Sequence, residues 1–376
     1  MTFATTTDPL PEEPIMSPPE EQFRALLSPR LNDAEIASLP RLDDDLARKL
    51  IDRIDGVRLF GHAYALLGNL TYGGFGPDDV LDFAHRHGLA GVCIHLLDGE
   101  ERSLGRMSDE QLRRFARKAE NLGLDIHLEI STTLRADVDQ VVRIAGILGV
   151  RNIRVYSRFE GQLSEVMERI EQDLLRLAAL ADQHDLTFSF EQHEELRSTE
   201  IAELLRRVNH PRLYAMFDFG NMVNACERPL DALSALAPHI LQAHLKGVHI
   251  LPEGDGFGHR GVLQGSPEDD LPGARMLFEL LMLGDDEPQV IALALEQENL
   301  YYAPAFRHAG EGDNPFIPYR DLSTTGIPDG WSLDDLLAAE PGWADHQVAY
   351  VKELLSTMRS IAAAQLDPTI SLAGAR

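Results

Sequence analysis

Four side chains able to ligate a metal fall at or near the ends of four successive strand-like stretches. Glu191 closes Thr187-Phe188-Ser189-Phe190, Asp218 closes Tyr214-Ala215-Met216-Phe217, His244 sits in Leu241-Gln242-Ala243-His244-Leu245-Lys246, and Glu296 closes Ile291-Ala292-Leu293-Ala294-Leu295. Three carboxylates and one imidazole make an oxygen-rich donor set for one divalent cation. Mn2+ is the expected ion, and Mg2+, Co2+ or Zn2+ would also suit such a set. A divalent ion chelated by a carbonyl and its neighbouring hydroxyl polarises both, so the proton α to the carbonyl becomes acidic. A carboxylate within reach can then remove it. Reprotonation on the other face or at the other carbon gives an epimer or an isomer. Breaking a C–C or C–O bond instead gives a lyase.

Strands must position these groups, and the chain alternates accordingly. Strand-like segments are expected at 57–62, 91–96, 125–130, 152–157, 187–192, 213–218, 240–246 and 289–297. Amphipathic helical patterns separate them at 77–88, 108–122, 135–148, 163–184, 197–208, 229–237, 271–283 and 344–361. Eight strands alternating with eight helices predict an α/β fold, a (β/α)8 TIM barrel whose active site lies at the C-terminal ends of the strands. An open doubly wound sheet is the alternative, but no Gly-rich dinucleotide fingerprint follows the first strand. Period-two alternation puts Arg154 and Tyr156 opposite Ile153 and Val155, and Glu296 and Glu298 opposite Leu293 and Leu295. The same pattern turns His62, His95, His127, Glu129, His193, His244 and Lys246 towards the lumen. So many inward polar groups would be costly if unpaired, and a metal with a polar substrate would satisfy them. His62, His95, Glu129, Arg154, His193, Arg260 and Glu298 are the candidate substrate contacts. Lys246 is either a counter-ion for the ligand carboxylates or a group that stabilises an enolate or binds a substrate carboxylate. Glu296 and Glu298 face the same way, so the last ligand could be either.

Residues 1–55 differ from the rest. Five prolines between 9 and 19 are interleaved with glutamates, so about the first 20 residues are expected to be disordered, with short helices at 20–27 and 43–54 packing on the barrel or on a neighbouring subunit. The barrel domain is expected at 56–365 and a C-terminal tail at 366–376. Segments 247–270 and 299–343 read as long loops over the catalytic face that shape a pocket and exclude water. The 376-residue chain carries a net charge of −27, which argues against nucleic-acid and anionic-membrane partners. Cys93 and Cys226 are its only cysteines, too few for a disulfide framework. With no secretory signal and no apolar run of membrane-spanning length, a cytoplasmic protein is expected.

Phe-Glu-Gln-His (190–193), Phe-Asp-Phe-Gly-Asn (217–221), Ala-His-Leu-Lys-Gly (243–247) and Ala-Leu-Glu (294–296) resemble, in this order, the motifs of the xylose-isomerase-like barrel superfamily of sugar isomerases and epimerases. The resemblance spans about residues 56–362. The tail from Glu340 to Val351 is similar to a branch containing 3-oxo-sugar-acid decarboxylases. Gly247 stands where the family usually has an aspartate, and Gly265-Ser266-Pro267 replaces a Gly-x-Gly turn. The resemblance implies that Glu191, Asp218, His244 and Glu296 ligate the metal, that Glu191 and Glu296 move the proton from opposite sides of the substrate, and that the protein forms a homo-oligomer. An isomerase or epimerase of a keto sugar is the first expectation. A lyase, either a 3-oxo-sugar-acid decarboxylase or a 3-keto-glycoside-cleaving enzyme, is the second. An abasic-site endonuclease would need a basic DNA face, which the charge opposes. An inactive binding barrel would be expected to have lost a ligand, and none is lost.

Overall fold

The computed structural model describes residues 16–319 and 330–370. Three helices lead in: α1 (Pro18–Leu27), α2 (Asp33–Ala37) and α3 (Asp44–Asp55). Helix α1 begins inside the segment expected to be disordered. Its two prolines occupy the first helical turn, where the missing amide donors cost nothing, and Ser17 caps it. Residues 1–15, on which the expectation of disorder also fell, and most of the C-terminal tail lie outside the described residues. Phe23, Leu27, Leu50 and Ile54 belong to the same continuous core as the barrel helices. No helix among the described residues is long and apolar enough to cross a membrane.

The chain then runs through β1 (Leu59–His62), β2 (Gly91–His95), β3 (Asp125–Glu129), β4 (Asn152–Val155), a short β5 (Gly161–Gln162), β6 (Thr187–Glu191), β7 (Leu213–Asp218), β8 (Ile240–Leu245), β9 (Gly247–Glu253), β10 (Gly256–Val262), β11 (Ala292–Leu295), β12 (Tyr302–Ala303) and β13 (Phe316–Ile317). Eight of these close a parallel barrel in the order β1-β11-β8-β7-β6-β4-β3-β2. They are the eight strand segments expected from the sequence. Helices follow them as α4 (Pro77–Arg86), α5 (Asp109–Leu122), α6 (Arg135–Leu148), α7 (Leu163–His184), α8 (Ser198–Val208), the short α9 (Asn221–Asn224), α10 (Pro229–Leu236), α11 (Gly273–Met282) and α12 (Leu333–Leu366).

The floor of the lumen is a small cluster of Phe60, Cys93, Ala292 and Ala294. Above it His127 bonds Gln242 (2.9 Å), which donates to Ser189 (3.1 Å), so the inward polar groups of three strands satisfy one another.

Two expectations need correction. Segment 247–270 is largely a β-hairpin, β9 with β10, to which β12 adds a third strand. Gly254 does sit in the turn with φ 64°, but the glycines within β10 serve close approach: a Cβ on Gly261 would sit 1.8 Å from the Glu298 carbonyl oxygen. Segment 299–343 is not all loop either, since α12 starts at Leu333 and runs straight through Glu340-Pro-Gly. Pro341 has no amide to offer the carbonyl of Leu337 four residues back. That carbonyl instead accepts from Asn69 Nδ2 at 2.8 Å, and the helix continues.

Candidate active site

Parallel closure brings the ends of β6, β7, β8 and β11 to one mouth of the barrel, and the four proposed ligands with them. Ligand atoms of Glu191, Asp218 and His244 all lie within 4.8 Å of one another. Three carboxylate oxygens surround His244 Nδ1: Glu296 Oε1 at 3.3 Å, Glu191 Oε1 at 3.5 Å and Asp218 Oδ2 at 3.9 Å. All four side chains are buried.

The other nitrogen of His244 faces Glu129, with Nε2 3.1 Å from Oε1. Burial alone would raise the Glu129 carboxyl, but Arg154, His62 and His244 outweigh it and hold it well below the usual range. An ionised Glu129 accepts a proton-bearing Nε2, so Nδ1 is turned to the site. His62 is fixed in the same way: its Nδ1 accepts from the Tyr64 amide (3.0 Å) while Nε2 reaches Glu129 Oε2 (3.0 Å) and Glu296 Oε1 (3.5 Å). Burial would depress His244, yet Glu296 and Glu129 raise it well above the ordinary imidazole value. The field that holds a proton there would equally hold a cation.

Asp218 divides its two oxygens between the backbone and the site. Its Oδ1 accepts from the amides of Gly220 (2.7 Å) and Asn221 (2.9 Å), which shapes the turn into α9. Its Oδ2 faces the site. That atom lies 3.0 Å from Lys246 Nζ, Glu191 Oε2 lies 3.1 Å from Arg154 Nε, and His244 Nδ1 is faced only by carboxylate oxygens, all three atoms being buried. Buried carboxylates crowded round one imidazole nitrogen repel one another unless a positive charge sits among them, and these three residues on adjacent strands form a donor set that fits a divalent cation. The residues present therefore suit the ion that the sequence implied.

Lys246 Nζ lies 3.0 Å from Asp218, 3.1 Å from Glu296 and 3.1 Å from Glu298. Burial would lower its pKa, but these carboxylates raise it well above normal, so it stays charged. A Cβ on Gly220 would come within 3.1 Å of the lysine Cε, which explains the glycine of the 217–221 motif. Arg154 pairs with Glu129 (2.8 Å) and Glu191 (3.1 Å). Asp218 and Glu298 are each pushed up to about 7, chiefly by burial, whereas Glu296 is held well below the usual range because Lys246, His244 and His62 outweigh burial.

Above these groups opens a cavity of about 510 Å3. Glu191, Arg154, His193, Lys246, Glu296 and Glu298 line it. His62, Glu129, Asp218 and His244 lie beneath it, and His95 is buried to one side, bonded to the Leu97 amide and pushed down to about 3 by burial and Arg154. Arg260 is not among these groups. It is exposed on β10, paired across the strands with His249 and Tyr302. Glu298 reaches Lys246, and Glu296 is the one that approaches His244.

Several lining residues were not picked out from the sequence. Tyr156 stacks on His193 with ring centroids 3.8 Å apart and 11° between planes. The alternation in β4 had already turned it inward, so that signal was available. Tyr64, Arg158, Leu336 and Trp343 also line the cavity. The last two were hidden because the helix was expected to begin only at 344, after a loop. Glu340 ties that helix to the loop after β1, accepting from the Gly68 amide (2.7 Å) and from Asn69 N and Nδ2 (2.8 and 2.7 Å).

Residues 81–284 match the protein family described as "Xylose isomerase-like TIM barrel". An uncharacterised protein of Escherichia coli (strain K12), YihM, is 43% identical over 313 residues, covering 83% of this chain and 95% of that protein. A 3-oxo-isoapionate decarboxylase of Pectobacterium atrosepticum is 22% identical over 163 residues, 43% of this chain and 58% of its own length. The solved structure of an L-ribulose 3-epimerase superposes with a TM-score of 0.55 at 14% identity, covering 85% of this chain and 100% of that one. At that identity the likeness is one of fold.

Proposed function

The chain belongs to the xylose isomerase-like TIM barrel family, and from that premise we propose that it is a divalent-metal-dependent isomerase or epimerase of a keto sugar or sugar derivative. The observation that carries the reading is the buried convergence of Glu191, Asp218 and Glu296 on His244 Nδ1, with a polar-floored cavity above them. The L-ribulose 3-epimerase of the same fold supports it by analogy. Glu191, Asp218, His244 and Glu296 would hold the ion, with Mn2+ the first candidate. When bound, it supplies Lewis-acid polarisation of a carbonyl and adjacent hydroxyl.

The chain's own residues do the rest. Glu296 is held ionised by Lys246 and is suited to accept the proton α to the carbonyl, and Glu191, also lining the cavity, is suited to return one. Lys246 keeps a positive charge beside the oxygen on which negative charge develops. Glu129 and Arg154 orient His244 and Glu191 from below. Tyr64, Tyr156 and Trp343 wall the pocket and limit water. The partner is thus a small sugar or sugar acid bound by a soluble catalyst.

The lyase reading shares every one of these residues, and the similarity to 3-oxo-isoapionate decarboxylase favours it as the second choice. Elemental analysis before and after chelation, with deuterium incorporation from D2O into a panel of keto sugars and keto-sugar acids, tests both. Metal bound near one equivalent with exchange at the α-carbon is the expected result, and the product distinguishes isomerase from lyase. Glu191→Ala should lose the metal and the activity while keeping its circular dichroism. A variant that retained full metal content would overturn the ligand assignment.

A further inference from the structure

Three cations line the cavity, and two are already committed. Arg154 is held by Glu129 and Glu191, and Lys246 by Asp218, Glu296 and Glu298. Arg158 is different. Among the described residues no carboxylate lies within ion-pair distance of its guanidinium, which donates to the hydroxyl of Tyr156 at 2.8 Å and lies over that ring, 5.4 Å from its centroid. Tyr156 also underlies Arg154, whose Nε contacts the ligand Glu191. One aromatic ring therefore separates the free guanidinium from the end of the cavity where the metal ligands converge.

From this placement we propose that Arg158 is a substrate-binding residue that anchors a carboxylate at the end of the substrate remote from the reacting carbonyl, so that the substrate is a keto-sugar acid rather than a neutral keto sugar. The inference rests on the reading of the site given above and names its substrate class. A half-buried guanidinium with open donors is matched by a planar carboxylate, which accepts two parallel N–H bonds. Guanidinium stacked on a phenol is also pre-ordered, so little freedom is lost on binding. A monoanion fits better than a phosphate dianion, because Glu191, Glu296, Glu298 and Glu340 line the same cavity and only one cation there lacks a carboxylate partner. Glu195 is a carboxyl that acts on Arg158 electrostatically without reaching ion-pair distance, and burial pushes it up to about 8, so at neutral pH it leaves the guanidinium uncompensated.

The test pairs substrates that differ only at one terminal carbon. The metal-loaded protein is titrated calorimetrically with D-fructose and D-fructuronate, D-tagatose and D-tagaturonate, and D-fructose 6-phosphate. Deuterium exchange is followed in the same samples. The uronates should bind at least 10-fold tighter than their neutral partners. Arg158→Gln should abolish that preference by raising Kd and KM about 30-fold with little change in kcat, and Arg158→Lys should recover part of it. Both variants should bind the neutral sugars as the wild type does, which a purely structural role for Arg158 would not allow. Equal binding of acid and neutral partners, no binding of any acid, or a preference that survives Arg158→Gln overturns the inference even if neutral sugars exchange deuterium. Tighter binding of the phosphate than of the uronate overturns the carboxylate assignment. An Arg158-dependent preference for uronates without any exchange upholds the anchor and refutes the proposed reaction instead.

Discussion

Glu195 offers a quantitative check on the charge pattern of the cavity. Its side chain is 7% exposed, and burial pushes the carboxyl from 4.5 up to about 8, against the lowering effect of Arg158. A group whose folded pKa exceeds its unfolded value contributes stability that is complete below the unfolded value. That contribution is lost as pH rises towards the folded one. Between pH 4.5 and 8 the native protein must keep a proton that the unfolded chain releases, which costs about 1.4 kcal/mol per pH unit. The penalty approaches about 3 kcal/mol at pH 7 and is below about 1 kcal/mol at pH 5. Glu195→Gln copies the protonated form and removes the proton linkage. In urea titrations the variant should match the wild type at pH 5 and exceed it by roughly 2 to 3 kcal/mol at pH 7, once relaxation around the site is allowed for. A variant less stable than wild type at pH 7 would show Glu195 ionised and paired. Arg158 would then sit in the field of a charged carboxylate, although the basic contact of Glu195 is His193 Nδ1 at 3.5 Å, and the case for a substrate carboxylate would weaken with it.

Other outcomes follow from the same contacts. Glu129→Gln removes the anionic acceptor shared by His62, His244 and Arg154; metal affinity should fall about 10- to 100-fold by calorimetry, and stability by about 3 kcal/mol as Arg154 loses its closest carboxylate. Gly261→Ala forces a Cβ into the Glu298 backbone; kcat/KM should drop more than 10-fold through displacement of that loop, while far-ultraviolet circular dichroism stays unchanged. Arg260→Ala should leave kcat, KM and metal content within error, because the side chain is exposed on the hairpin and points at nothing in the cavity.

The barrel was legible because its signals are periodic and repeated. Strand polarity alternates with period two, the helices between carry capping residues such as Ser108 and αL glycines at 123 and 149, and each pair adds the same unit. The convergence of the four proposed ligands was legible because strand ends in a parallel barrel must meet. What stayed hidden depends on partners distant in sequence. Nothing local reveals that Pro341 can sit inside a helix, since its missing hydrogen bond is replaced by Asn69, some 270 residues earlier. The glycines of β10 carry a loop composition, and only distant backbone, that of Arg307 at Gly256, Ala303 at Gly258 and Glu298 at Gly261, gives them their meaning. Arg260 was singled out for its charge and neighbours, and strand pairing turned it to solvent. Arg158 was passed over because it lies beyond the end of β4, where alternation no longer predicts direction.

Helix α12 has a consequence for the order in which the molecule can be assembled. It packs against α1 and α3, with Ser17 bonded to Gln365 and Asp55 to Arg359, and its first turns supply Leu336, Glu340 and Trp343 to the cavity. During synthesis the leading helices emerge long before this one, and their apolar faces, Phe23, Leu27 and Leu50 among them, must wait without their cover. The pocket wall is added only after every barrel strand has been made. A ribosome-bound chain stopped after Glu296 would thus hold all four proposed metal ligands in sequence yet lack the roof over them.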